Sequence, residues 1–453
     1  MVFTQGSPLA RNISLLLGLG AALLAMPNPL IYMPLGIFFG FVPLFAANQK
    51  SSGYTRFLFN LLFSCAFAII LLNPLDAAKL VYVFPDTIFI VILFLIIGSI
   101  YSISFTSAGF LSDKFGWDLG AVFFSLCWLL TQRMLSAIPP FFAFPIETSL
   151  VKYPVMIQSA GIFGASFIGC WIIFTNSVIA NAIYSKKWLI SLIILLTVHL
   201  TNICYGIFSL SFRHEDQNTV PISIIQTNVS SRDYVLIEKS RLFENLCSRK
   251  LISLSLEALK KQPKLIIWPE LAGNYILQND QYLEYLCRSI TSKGAELLIG
   301  TNYIDHLNGR KEYNISFILK SDGNITEPYK KSIVFPFSET SLYSRGGEFK
   351  TLPSGSGLKS IGSMICLESF YPRIARGLVK AGAKILVLIS TDASFGNSMI
   401  PYIHAAQIVM RAVENDRYAV HLGNTGPSII CDNKGRILTY VPYGKAAYAE
   451  AKI

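Results

Sequence analysis

Lys264-Leu265-Ile266-Ile267-Trp268-Pro269-Glu270 is a short apolar run closed by a proline and an acid. Its length and β-branched content suit a buried strand, and the proline stops it so that the carboxylate sits at its end. Working outward, Val220–Gln226 and Glu296–Gly300 have the same character. Helix-like stretches at 237–261 and 279–292 separate the three runs. Further strands are expected at 313–320, 359–366, 384–390 and 418–424, with helices near 371–381 and 402–416. Strands alternating with helices indicate a layered α/β domain. In such domains the groups that do chemistry project from loops at the carboxyl ends of strands.

Upstream the chain changes character. Residues 1–211 hold 14 charged side chains, whereas the whole chain of 453 holds 65. A soluble protein carries ~25% charge, and only the later part, 212–453, comes near that. Apolar runs recur at 12–26, 31–47, 57–72, 87–110, 117–135, 155–183 and 189–211. A helix needs ~20 apolar residues to cross the hydrocarbon core, so about seven spans are expected. Pro27-Asn28-Pro29 makes the first two a tight hairpin, or one span with a re-entrant piece. With the N-terminus inside, the inner loops carry Arg11, Lys50, Arg56, Lys114, Lys186 and Lys187; the outer loops carry Lys79, Arg133 and Lys152. That bias favours an outer, periplasmic location for residues 212–453 in a cell inner membrane.

The net charge of +11 is spread along the chain, without the basic and aromatic clusters that nucleic-acid binding requires. Loop anchoring and a mildly basic surface account for it, with attraction to anionic lipid as the functional reading. The eight cysteines include no CxxC pair and no accompanying histidine cluster, so neither a metal nor another cofactor is expected. Cys65, Cys127, Cys170 and Cys204 fall in apolar runs, where the role of small hydrophobe suits them.

Three polar residues follow strands or lie in loops between them: Glu270, Lys331 and Cys366. Singly, each has an ordinary reading as a solvated acid, a surface lysine and a core thiol. Together they make a reaction kit. A thiol needs a base to become a nucleophile, and a glutamate serves. Attack on an ester or amide produces an oxyanion, which an ammonium stabilises. His404 and His421 leave a Cys–His pair open, but neither follows a strand end.

At these residues the chain resembles the nitrilase superfamily, and within it the apolipoprotein N-acyltransferase family. The matching segments are Trp268-Pro269-Glu270, Tyr329-Lys330-Lys331 through Phe337-Ser338-Glu339, and Cys366-Leu367-Glu368. Tyr313-Asn314, Asp322-Gly323, Asp392-Ala393-Ser394-Phe395-Gly396 and Phe144-Pro145 in the membrane half add to the likeness. Pro336-Phe337 and Glu339 set the register in favour of Lys331 over Lys330. The resemblance implies a multi-span α-helical membrane domain followed by a four-layer α-β-β-α sandwich. It also implies a phospholipid acyl donor, a Cys366 thioester, and a lipid-modified apolipoprotein as acceptor. Glu270 would be base and then acid, Lys331 the oxyanion partner, and Glu339 and Glu368 supports. Asn314, Tyr234 and Phe395 would face substrate, and the protein would act as a monomer in the membrane.

The chain departs from that family in several places. Leu367 stands where a tyrosine is usual, Ser394 where a tryptophan is usual, and Asn228-Val229-Ser230-Ser231 replaces the usual turn, with Tyr234 near an expected tryptophan. The family's closing apolar run has no counterpart before Ile453. A divergent member is therefore expected. The alternative is a membrane-tethered acyltransferase or amidase acting on a different amine or amide, of the kind found in conjugal-transfer gene sets. An inert scaffold is a third reading, against which the ordered Glu, Lys and Cys argue. A reporter fused after Ile453 is expected to report the outer compartment, and a cytoplasmic signal would overturn the seven-span orientation.

Overall fold

A computed structural model describes the chain except residues 1–7, 30, 73–83, 138–142, 213–218, 230–240, 274–280, 308, 336–338 and 348. The described residues form two compact units. One holds those between 8 and 212 together with Ser398–Ala406; the other holds those of 219–397 and 407–453.

The first unit is helical: α1 (Pro8–Ala25), α2 (Val42–Lys50), α3 (Gly53–Leu72), α4 (Phe84–Phe115), α5 (Gly120–Ala137), α6 (Ala165–Ser185) and α7 (Trp188–Ser211). Among the described residues, five segments are long and apolar enough to cross a membrane: Gly53–Leu71, Val91–Phe115, Trp117–Ala137, Ala165–Ser185 and Trp188–Ser211. The first apolar run lies in the 18-residue α1. The second is broken into the turn Pro34–Gly36, the short helix Ile37–Gly40 and α2. Pro34 and Pro43 sit at helix starts, where a missing N–H costs nothing, so each begins a new segment rather than extending the last. The run at 155–183 is divided before α6 by Gly164, whose φ of 85° favours glycine. The interior is aromatic: Phe41 packs against Phe45, Phe63, Phe67, Phe105 and Trp128. Arg56, buried at the start of α3, is neutralised by Asp113 at 2.8 Å.

The second unit is the layered domain. One sheet has the order β12-β1-β2-β3-β4-β5 and the other β11-β10-β9-β8-β7-β6. In the first sheet the strands are β1 (Pro221–Gln226), β2 (Leu265–Ile267), β3 (Glu296–Asp305), β4 (Lys311–Leu319), β5 (Tyr329–Lys330) and β12 (Ala447–Lys452). The second is made of β6 (Leu352–Pro353), β7 (Ser360–Ile365), β8 (Ile385–Ser390), β9 (Tyr418–Gly423), β10 (Ser428–Cys431) and β11 (Ile437–Val441). β1, β2 and β3 run parallel, as do β7, β8 and β9, which gives each sheet a βαβ centre. Helices α8 (Arg241–Leu259) and α9 (Gln281–Thr291) cover the first sheet. There Leu251, Ile252 and Ile290 join Ile266, Trp268, Leu297, Ile299, Ile315 and Phe317 in one core. Helix α10 (Pro372–Lys380) lies against β7, and residues 407–413 of α11 (Met399–Asn415) are buried.

The two sheets face each other, and polar groups bridge them. Ser316 of β4 meets Ser363 of β7, Oγ to Oγ, at 2.6 Å. Gln226, at the end of β1, is fully buried. Its Nε2 donates to the carbonyls of Pro442 and Lys445 at 2.8 Å, and its Oε1 accepts from Ser428 at 2.6 Å. Gln226→Leu removes these bonds and leaves buried carbonyls unpaired, at a cost of about 3 kcal/mol. Faster hydrogen exchange in β12 is the expected outcome; unchanged exchange there would refute a structural role for Gln226.

Candidate active site

Glu270 follows β2 by three residues, after Trp268-Pro269, and is 2% exposed. Three groups hold its carboxylate. Asn314 of β4 donates to Oε1 at 2.7 Å, the Thr391 backbone N–H donates to Oε2 at 2.8 Å, and Lys331 reaches Oε1 at 3.3 Å. The neighbouring strand must come close here. A Cβ on Gly300 would lie 2.7 Å from Ile389 and 2.9 Å from the Glu270 Cα, so only glycine leaves room.

Lys331 follows β5, where alternation sends adjacent lysines to opposite faces. Lys330 lies over the Tyr313 ring at 4.0 Å and 3.6 Å from Asp305. Lys331 points inward, 1% exposed, to Glu270 at 3.3 Å and Glu339 at 2.6 Å. Glu339 is held in turn by the Phe335 N–H at 2.7 Å. Burial opposes the Lys331 charge, but Glu270, Glu339 and Cys366 together hold its pKa well above the usual lysine value. Two carboxylates share one cation, and Glu270 is the more distant. Burial, reinforced by Glu339, therefore raises the Glu270 pKa despite Lys331 and the two donors.

Cys366 follows β7 with φ of 53°, an uncommon conformation for a side-chain-bearing residue. It opens the 3₁₀ turn Cys366–Phe370. Burial first, then the charges of Glu270, Glu339 and Asp392, push its thiol pKa well up, and only Lys331 acts against them. A thiol whose pKa is raised needs a base to become a nucleophile. Glu368, two residues on, is buried away from that chemistry. Its Oε2 accepts from the Ile365 N–H at 2.8 Å. Its Oε1 accepts from Tyr329 OH at 2.9 Å and from the Ser332 N–H at 2.7 Å and hydroxyl at 2.6 Å. Burial raises its pKa although these donors pull against it. Glu368 thus clamps the turn carrying Cys366 to the loop carrying Lys331.

The structure brings Glu270, Lys331, Glu339 and Cys366 together, with Asn314 and Glu368 holding them. Phe395 ends the 3₁₀ turn Asp392–Phe395, one turn beyond Thr391, and is half-buried. Tyr234 lies outside the described residues. His421 faces Asp392 at 3.5 Å and the Pro427 carbonyl at 2.9 Å. Sequence reasoning missed Thr391, which acts through its backbone N–H and so carries no residue-type signal. It also assigned no role to Tyr329 or Ser332, although both stand in the lysine segment. The arrangement is able to deprotonate a thiol, stabilise an oxyanion beside an ammonium, and return the proton to a leaving group.

Comparison with known proteins follows the same lines. The carbon-nitrogen hydrolase family matches residues 245–453. An apolipoprotein N-acyltransferase of Geobacter metallireducens is 28% identical over 58% of this chain and 53% of its own. That of Aquifex aeolicus is 27% identical over 71% and 74%, and the apolipoprotein N-acyltransferase 2 of Treponema denticola is 26% identical over 74% and 72%. The chain thus spans about half the length of the first relative and about three-quarters of the other two. Among solved structures, Saccharomyces cerevisiae Nit3, a member of branch 10 of the nitrilase superfamily, aligns with 52% of this chain and 89% of its own. The identity there is 20% and the TM-score 0.42. Residues 245–453 match the carbon-nitrogen hydrolase family, and the chain is similar at 26–28% identity to these apolipoprotein N-acyltransferases.

Proposed function

We propose that the protein is a phospholipid:apolipoprotein N-acyltransferase working through a Cys366 thioester. The observation that carries the reading is the closed charge cluster of Glu270, Lys331 and Cys366, set in a carbon-nitrogen hydrolase domain that follows apolar helices. In the first half-reaction Glu270 takes the Cys366 proton and the sulfur attacks the ester carbonyl carbon of a phospholipid. The Lys331 ammonium stabilises the tetrahedral oxyanion. As the carbon–oxygen bond breaks, Glu270 protonates the departing alkoxide, leaving a thioester and a lysophospholipid.

In the second half-reaction the free α-amine of a lipid-modified N-terminal cysteine attacks the thioester carbonyl. Glu270 accepts the proton that the nitrogen then sheds, the carbon–sulfur bond breaks, and the thiolate recovers that proton. The raised pKa of Glu270 suits both steps, because a stronger base takes the thiol proton more readily. The balance of Lys and Arg between loops supports an inner-membrane protein with the 212–453 half on the outer face. Leu367 and Ser394, where the resembled family has tyrosine and tryptophan, support a second reading in which another primary amine or an amide is the substrate.

Incubating the purified protein with phospholipid is expected to add one acyl mass to Cys366, releasing lysophospholipid, and Cys366→Ala abolishes both. Adding a diacylated lipopeptide is then expected to discharge the adduct as N-acylated product. A stable adduct that the lipopeptide leaves intact but a small amine or amide removes would favour the second reading.

The charges around the thiol give a signed expectation. Glu339 raises the pKa of both Cys366 and Glu270. Glu339→Gln removes that charge, so the rise in Cys366 alkylation with pH is expected to move to lower pH. An unchanged or upward-shifted profile would exclude electrostatic contact between Glu339 and the thiol.

A further inference from the structure

β3 and β4 pair residue for residue, and Asn302 lies directly opposite Asn314. Leu297, Ile299, Tyr313, Ile315 and Phe317 pack into the core under α8 and α9. Alternation turns the residues between them toward the other sheet, as the Ser316–Ser363 contact shows. Asn302 and Asn314 therefore share one face, on the side that holds Glu270. They are 7% and 1% exposed. The Asn314 amide is oriented by Glu270, since only its nitrogen is able to donate to a carboxylate at 2.7 Å. Its Oδ1 is thereby left for another donor. Neither this oxygen nor Asn302 Oδ1 has a hydrogen-bond partner among the described residues.

Two unpartnered carbonyl oxygens, both buried and on opposed residues, carry a free-energy cost that a ligand's donors would relieve. Both accept only, and Glu270 beside them is also an acceptor. The matching group carries N–H bonds.

We propose that Asn302 and Asn314 form the subsite for the acceptor's primary amine, an assignment that rests on the N-acyltransferase reading above. A neutral amine has two N–H bonds for the two oxygens and one lone pair left for the thioester carbonyl carbon. When carbon–nitrogen bond formation places positive charge on nitrogen, Glu270, joined to the subsite through Asn314, takes the released proton. The carbon–sulfur bond breaks and the amide departs with no other reactant. The two oxygens thus select the nucleophile by its hydrogens, leaving the rest of the acceptor to be bound elsewhere.

Among the described residues no hydrogen bond joins the Asn302 side chain to Glu270, Lys331 or Cys366, so its substitution separates the two half-reactions. The test measures acyl-adduct formation on Cys366 with phospholipid, then transfer to a synthetic S-diacylglyceryl-cysteine peptide at varied concentration. Asn302→Leu is expected to leave the adduct burst unchanged and to raise KM for the peptide by roughly threefold to tenfold, the worth of one hydrogen bond. Asn302→Asp retains an acceptor oxygen and is expected to restore KM to the native value or below. An unchanged KM in Asn302→Leu with a normal burst would overturn the subsite alone. Loss of the burst in both variants would assign Asn302 a structural role and overturn it too. No burst in the native protein would bring down the acyltransferase reading and the subsite with it.

Discussion

The second unit depends on one buried ammonium, that of Lys331, shared between two carboxylates. Removing a lysine charge from water is expensive, and only close anions offset that cost. Glu339 at 2.6 Å and Glu270 at 3.3 Å supply them, and each is tied by backbone donors, Phe335 N–H and Thr391 N–H. Those donors belong to loops on different strands. The requirement to neutralise one cation therefore draws together the ends of β2, β5 and β8. Two carboxylates for one ammonium leave net negative charge beside Cys366, so its thiol pKa is raised although Lys331 acts against the rise.

The strands deliver this cluster because the parallel pairs at the two sheet centres end on the same side. Glu270 follows β2, Cys366 follows β7 and Thr391 follows β8, all at carboxyl ends. Gly300 lets β3 approach Glu270, and the alternation of β4 puts Asn314 on the same face. Each contribution is one side chain or one N–H at a strand end.

Most of the α/β skeleton was legible because buried strands are apolar and short. Lys264–Pro269 and Lys384–Ser390 contain β2 and β8, and the helix near 371–381 is α10. The closing strands β10, β11 and β12 were not expected. β12, Ala447-Tyr448-Ala449-Glu450-Ala451-Lys452, is half-exposed and carries charge, so its pairing with β1 is decided by tertiary contact rather than by local pattern. Lys331 was separable from Lys330 by its spacing from Pro336-Phe337 and Glu339, and the structure sends it inward to Glu339. Thr391 was not, because any residue but proline offers a backbone N–H. In the helical unit, Pro34, Pro43 and Gly164 break runs that hydropathy alone reads as continuous, because mean hydropathy is blind to backbone geometry.

Glu368, rather than the residue next to the thiol, holds the turn that carries Cys366. The turn that presents Cys366 is held by the Glu368 carboxylate on Ile365 N–H and on Ser332, Ile333 and Tyr329. None of those bonds uses the side chain at 367, where Leu367 is nearly buried and apolar. The conformation of the thiol is thus set by its second neighbour and by the lysine loop. The Leu367 side chain supplies none of the bonds that hold Glu270, Lys331 or Glu368. A substitution at 367 therefore leaves the hydrogen bonds that place Glu270, Lys331 and Glu368 intact.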